Sequence, residues 1–231
     1  YGGSPVLLRA RQLSVEDPST PSVRPIMTGW GTSDERTRMR ALDFDNTIYD
    51  GESPLDFYLF SIRYNPRVLR FIAPVIFHLV RYRRSRSSRA DIERAIRRYI
   101  HAYLTSFDDI PAMVSAFWDT HMHKIRPWYE PRPDDVIMTA SFNYTMEEVM
   151  RRLGVTRCIC STVDYDTLEL IHLNFGDNKV KAFKETYGED AVPDEFYTDN
   201  LVDLPMLRYA RRGFLVHGND VRPFDPRTRI E

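Results

Sequence analysis

The chain has 231 residues, a formal net charge of −1, 42% hydrophobic and 13% aromatic residues, enough for one domain with a sizeable core and an insertion. Near-neutral charge excludes a general affinity for nucleic acid. Its two cysteines, Cys158 and Cys160, stand one residue apart, too close along a strand for an easy disulfide, which excludes a disulfide-built scaffold and points to a reducing, cytoplasmic compartment. No secretory signal is visible.

Residues 1–37 are rich in Gly, Pro, Ser, Thr and charge without a sustained period, and read as a flexible tail. Met39–Phe44 reads as the first strand and runs into Asp43-Phe44-Asp45-Asn46-Thr47. Strand alternation puts Asp43 and Asp45 on one face. Two converging carboxylates repel each other unless a cation lies between them, and a hard divalent ion with oxygen ligands, commonly Mg²⁺, resolves the conflict. A solvated Asp-Asn turn is the simpler alternative at this point.

Residues 53–130 show helical patterns only. Ser53-Pro54 reads as a cap followed by a first-turn proline. Pro66 opens a second helix through Tyr82, with Pro74 expected to kink it. Ile92, Ala95, Ile96, Tyr99, Ile100 and Tyr103 form the apolar face of a third, and Asp109-Ile110-Pro111 starts a fourth that ends near Lys124. From Arg63 to Arg98 there are eleven arginines against only Asp91 and Glu93. Inside this basic stretch, Phe71–Val80 is apolar-rich but shorter than the ~20 residues that span a bilayer. It is long enough to lie in a membrane interface. The face of Ile96, Ile100 and Tyr103 offers it a partner within the protein, and burial there is the expected main role.

Beyond the helices, Val136–Thr139, Val155–Cys160, Glu195–Thr198 and Gly213–His217 read as strands. Helices are expected at Glu147–Leu153, capped by Gly154, at Lys179–Tyr187 and at Leu204–Arg211. Ser161–Val163 and Leu168–Leu173 read as a hairpin about Asp164–Thr167. Strands alternating with helices predict an α/β fold with a Rossmann-like, mostly parallel sheet flanked by helices and interrupted by an all-helical insertion. Ligands of such sheets bind outside the carboxyl ends of the strands, which is where Asp43, Thr139 and Asp199 are expected. No internal repeat is present, and the histidines form no metal-ligating set; His121 and His123 stand two apart on a helix and do not face each other.

Four segments in order carry a resemblance: Asp43-Phe44-Asp45-Asn46-Thr47, Val136-Ile137-Met138-Thr139-Ala140-Ser141, Lys179, and Asp199-Asn200-Leu201-Val202-Asp203-Leu204-Pro205. Together they resemble the motifs of the haloacid dehalogenase-like hydrolase superfamily, and the helical insertion after the first motif is similar to the cap of its phosphoserine phosphatase-like branch. The resemblance implies a catalytic core of residues 38–52 and 131–231 and a helical cap of residues 53–130. It implies that Asp43 is the nucleophile and Asp45 the general acid and base. Mg²⁺ would be held by Asp43, the Asp45 carbonyl and Asp199, with Asn200 and Asp203 behind it. Thr139 would bind a phosphate oxygen, with Ser141 the competing hydroxyl, and Lys179 would neutralise charge in the transition state. Glu52 occupies the place where phosphoserine phosphatases keep an acid for the substrate's ammonium; Thr47, Ala140 and Ser141 are further substrate-side candidates.

Two departures stand out: Asn46 where many relatives have Gly, a mild change because Asn tolerates a left-handed backbone, and Phe142 where many have Pro. The expectation is a Mg²⁺-dependent phosphomonoester phosphatase for a small phosphorylated substrate. The alternative is a phosphatase of lipid or lipid-linked phosphates, peripheral at the inner face of the membrane. A catalytically silent binding module is a third class, against which the complete motif set stands. No feature of the sequence specifies an oligomeric state.

Overall fold

The computed structural model of the protein describes residues 38–83, 89–174 and 178–225; the expected tail, residues 1–37, lies outside them. Among these residues the strands are β1 (Arg40–Asp43), β2 (Val136–Phe142), β3 (Arg157–Val163), β4 (Leu170–His172), β5 (Glu195–Thr198), β6 (Arg212–His217) and β7 (Asp220–Pro223). They form one sheet in the order β4-β3-β2-β1-β5-β6-β7. The pairs around β1 are parallel, with Leu42 opposite Ile137 on one side and Tyr197 on the other. The edge pairs β3–β4 and β6–β7 are antiparallel. The chain builds outward from β1 through β2 to β3 and then returns to place β5 on the other side. The reversal leaves a crevice at the carboxyl ends of β1 and β5, the place where ligands of open α/β sheets bind.

Strand alternation decides which core each residue joins. Ala41, Val136, Met138 and Phe196 point to one layer, with Phe183 of α6 (Asn178–Tyr187) and Met206 and Leu207 of α7 (Leu204–Tyr209). Leu42 and Ile137 point to the other, with Val149 and Met150 of α5 (Asn143–Leu153). Burial of these side chains, at about 25 cal/mol per Å² of apolar surface, is the main favourable term holding the layers together. Gly154 ends α5 with φ +69 in the left-handed region, as expected of a helix C-cap.

Between β1 and β2 lie α1 (Ser53–Ser61), α2 (Leu69–Arg83), α3 (Arg89–Leu104) and α4 (Ile110–His121). α2 continues through Pro74 as one helix. Phe117 and Trp118 of α4 share a hydrophobic cluster with Phe44 and Tyr49 of the loop after β1 and with Phe57 of α1, and the Trp118 indole N–H donates to the Thr145 carbonyl of α5 at 2.8 Å. The helical insertion is thus seated on the sheet layer by aromatic packing.

Several expected boundaries move. β2 runs three residues past Thr139, with an irregularity between Met138 and Phe142, so Thr139 lies inside a strand. The expected strand to Cys160 and the hairpin arm at Ser161–Val163 are one strand, β3, because Ser161 and Val163 are buried and continue its alternation. α5 begins at Asn143, earlier than Glu147, since Tyr144 and Met146 are buried as well. Ser53 is the first residue of α1, and Glu52 takes the cap position without a side-chain capping bond.

Candidate active site

Asp43 ends β1 two residues beyond Ala41, on the face covered by α6. Lys179, in the first turn of α6, therefore meets it: Nζ lies 2.7 Å from Asp43 Oδ1 and 2.6 Å from Asp203 Oδ2. All three are buried. Burial alone would lower the lysine, but the two carboxylates outweigh it and carry its pKa above the ordinary 10.5. Burial pushes Asp43 well above the usual 3.8; Lys179 pulls it back and Asp203 pushes it up again. One ammonium does not balance two buried carboxylates.

The second shared point is Thr47. Its hydroxyl accepts from the Asp199 N–H at 2.8 Å and faces Asp199 Oδ1 at 3.3 Å and Asp43 Oδ2 at 3.5 Å. The carboxylates at the ends of β1 and β5 therefore converge on one hydroxyl. Burial raises the Asp199 pKa from 3.8, with Glu52 and Asp203 adding repulsion. Among the described residues no group of three or more His, Cys, Asp or Glu side chains is spaced to hold a metal ion. The set expected here has only two acid side chains, Asp43 and Asp199, and a backbone carbonyl. An all-oxygen set with surplus negative charge fits a hard divalent cation.

Asp45 takes other partners. β1 ends at Asp43, so alternation does not extend to Asp45 and the two aspartates bind different neighbours. Asp45 Oδ1 accepts the first N–H of α1, from Ser53, at 2.6 Å. Oδ2 accepts the hydroxyls of Ser141 at 2.8 Å and Thr139 at 3.1 Å, and Ser53 Oγ and Ser141 Oγ lie 3.1 Å apart. Burial raises the Asp45 pKa above 3.8, against the pull of its Ser53 and Ser141 hydrogen bonds. An anion at a helix N-terminus is also favoured by the orphan N–H groups there. Asp45 is thus the capping group of α1, in the role expected of the Ser53 side chain.

The remaining expected residues divide. Asn46 has φ +57, the left-handed backbone that Asn tolerates, and its amide donates to Glu52 Oε1 at 3.0 Å. Glu52 is half-buried and repels both Asp45 and Asp199. Asp203 lies beside Lys179. Asn200, by contrast, turns its side chain to the N–H of Val202 at 2.9 Å and caps the short turn after β5. Thr139 and Ser141 are both engaged with Asp45, and the Ala140 carbonyl accepts from Ser161 at 2.7 Å.

Sequence reasoning missed three participants. Ser53 serves through its backbone N–H. Thr198 donates to Asp203 Oδ2 at 3.0 Å, which its place beside Asp199 at a strand end could have signalled. Asn174, fully buried, donates to the carbonyls of Thr139 and Ile159 at 3.0 and 2.9 Å and so joins β2 to β3 beneath the site; nothing in its sequence context marks it.

Comparison with known proteins bears on this geometry. The family model of haloacid dehalogenase-like hydrolases matches residues 41–208, a span that includes every carboxylate above and Lys179. A search of curated proteins found no match. Among solved structures, a protein of unknown function from Bordetella pertussis Tohama I is similar at 16% identity and TM-score 0.61, over 76% of this chain and 88% of that one. A probable phosphoserine phosphatase from Vibrio cholerae is similar at 13% identity and TM-score 0.50, over 77% of this chain and 55% of that one. At such identities the likeness is one of fold.

Proposed function

The chain belongs to the haloacid dehalogenase-like hydrolase family, and we propose that it is a magnesium-dependent phosphomonoester phosphatase working through an aspartyl phosphate on Asp43. The observation that carries this reading is the buried Lys179 bridging Asp43 and Asp203, next to Asp199 across Thr47. A nucleophilic carboxylate and a second acid stand at the carboxyl ends of adjacent strands, with a fixed cation from α6 beside them.

A phosphate monoester resists direct attack by water, and a covalent intermediate divides the reaction into two easier steps. An Asp43 oxygen attacks phosphorus as the ester oxygen leaves, and Asp45 gives its proton to that oxygen. Water then attacks phosphorus, its proton passes to Asp45, the acyl-phosphate bond between the Asp43 oxygen and phosphorus breaks, and phosphate departs. The raised pKa of Asp45 suits a group that must hold a proton before the first step. Lys179 sets positive charge beside the attacking carboxylate and the phosphate oxygens. Magnesium, held by Asp43, Asp199 and the Asp45 carbonyl, would supply further positive charge against phosphate and keep Asp43 ionised despite its burial.

In this reading residues 53–130 act as a cap over the core of residues 38–52 and 131–231. Substrate contacts fall to Thr47, Glu52, Ala140 and Ser141, and Asp203 holds Lys179 in place. The substrate is a small phosphorylated molecule, and the location is cytoplasmic. A screen for phosphate release over phosphorylated amino acids, sugars, nucleotides and lipid head groups, with Mg²⁺ present and Asp43→Asn as blank, tests it. Release by the wild type alone is the expected result; no release from any substrate by folded wild-type protein would sink the reading.

A further inference from the structure

Helix α2 presents an apolar stripe to solvent. Leu69, Phe77 and Val80 are 50%, 57% and 43% exposed, and Ala73 between them is exposed as well. At about 100° per residue the four fall within about 80° of arc. Arg70 and Arg81, both exposed, line one border of that stripe. The Arg81 guanidinium sits over the Phe77 ring at 5.4 Å and that of Arg70 over the Phe71 ring at 4.5 Å, so positive charge is held against the apolar side chains. The expectation that this segment is chiefly buried therefore holds for Phe71, which is half-buried against Tyr99 of α3 at 6.4 Å, and fails at Phe77 and Val80.

The charge around the stripe has one sign. Between residues 63 and 90 there are eight arginines and no Asp or Glu, in a chain whose net charge is only −1. The rest of the chain is correspondingly acidic, so the positive field belongs to this segment and not to the protein at large. Among the described residues no helix is long and apolar enough to cross a membrane. α2, with fifteen residues, is too short to cross a bilayer, so contact with one would run along its surface.

We propose that this face of α2 docks the protein on an anionic phospholipid bilayer, with Leu69, Phe77 and Val80 entering the boundary between head groups and acyl chains and Arg70 and Arg81 pairing with lipid phosphate. A second copy of the chain fits less well, because a two-fold contact through this stripe would bring its arginines against one another. A polynucleotide uses arginines but gains nothing from an apolar stripe beside them. The docking stands whatever reaction the protein performs. That the phosphomonoester is then met in the head-group layer rests on the function proposed above.

The test is co-sedimentation of the full chain with vesicles of phosphatidylcholine alone or mixed with phosphatidylglycerol, at low and high salt. Binding is expected only to the anionic vesicles and should fall as salt screens the arginines. Arg70→Gln with Arg81→Gln should weaken it by about thirty-fold. Phe77→Ser with Val80→Ser should abolish it, with the melting temperature and phosphate release from a soluble aryl phosphate unchanged. Binding of neutral and anionic vesicles alike, no binding to either, or tight binding to a polynucleotide without vesicle binding would each overturn the proposal. If the apolar variant fails to fold, unaltered binding by the arginine variant overturns it just as well. Soluble phosphatase activity without vesicle binding removes the docking and leaves the phosphatase standing. Vesicle binding without phosphate release from soluble or vesicle-borne phosphomonoesters does the reverse.

Discussion

Ser141 donates its hydroxyl to Oδ2 of Asp45 at 2.8 Å, the oxygen that Thr139 also reaches, while the other carboxylate oxygen is committed to the fixed N–H of Ser53. A hydroxyl can turn from donor to acceptor and a backbone N–H cannot. A proton on Asp45 therefore belongs on Oδ2, facing Ser141 and Thr139. Ser141→Ala should cost about ten-fold in kcat for alkyl phosphates, whose leaving oxygen needs the proton, and less for an aryl phosphate with a good leaving group. Loss of a donor to the charged form should also move the Asp45 limb of the pH profile upward. Equal losses on both substrates with an unmoved profile would reduce Ser141 to a packing residue.

Asp43→Asn should abolish turnover, by at least ~10³, while the protein still folds. The amide has nearly the same shape but is a poor nucleophile, and Lys179 retains Asp203 as a partner at 2.6 Å. Phosphate release and circular dichroism on the same preparation check both halves. Near-native turnover would remove Asp43 from the chemistry.

Magnesium should raise the melting temperature of the wild type, because a ligand that binds only the native state stabilises it, by about 2.7 kcal/mol at a hundred-fold excess over Kd. Asp199→Asn should erase most of that rise, and chelator should stop activity until Mg²⁺ is returned. A melting temperature indifferent to Mg²⁺ would contradict the assignment independently of any assay of turnover.

Gly51→Ala should destabilise the protein by about 1–3 kcal/mol. Gly51 has φ +128, and a Cβ there would lie 2.9 Å from Lys124 Nζ. That lysine is paired with Asp56, which limits how far it can withdraw. The midpoint of urea denaturation measures the loss, and an unchanged midpoint would show that the turn relaxes freely.

Glu148 gives a pH dependence remote from the site. Hydrogen bonding from Arg151, and then Arg152, lowers its pKa from 4.5 to about 2. A carboxyl depressed in the folded state contributes stability that is complete above its unfolded pKa and is lost as pH falls through the folded one. Wild-type stability should therefore decline between about pH 4.5 and 2 more steeply than that of Glu148→Gln. Parallel acid-denaturation curves would show that the pair is screened at the surface.

Much of the fold was legible because strand and helix periods are local properties. The apolar runs at Ala41-Leu42 and Val136-Ile137-Met138 announced buried strands, and Gly154 marked its helix end. Asp43, Lys179, Asp199 and Asp203 were legible within three of the four motifs, since each sits where a strand or helix terminus was readable from its own neighbours. What the tertiary structure alone decided are contacts between segments far apart in the chain. Asp45 caps α1 and gathers Ser141 and Thr139 because β2 runs on past Thr139 beside the β1 loop. Asn200 turns away to its own loop, and Phe77 is 57% exposed while Phe71 packs on α3. Period and composition show that a helix has an apolar side. Which part of that side finds a partner depends on where the next helix crosses it, and that is set by packing over the whole insertion.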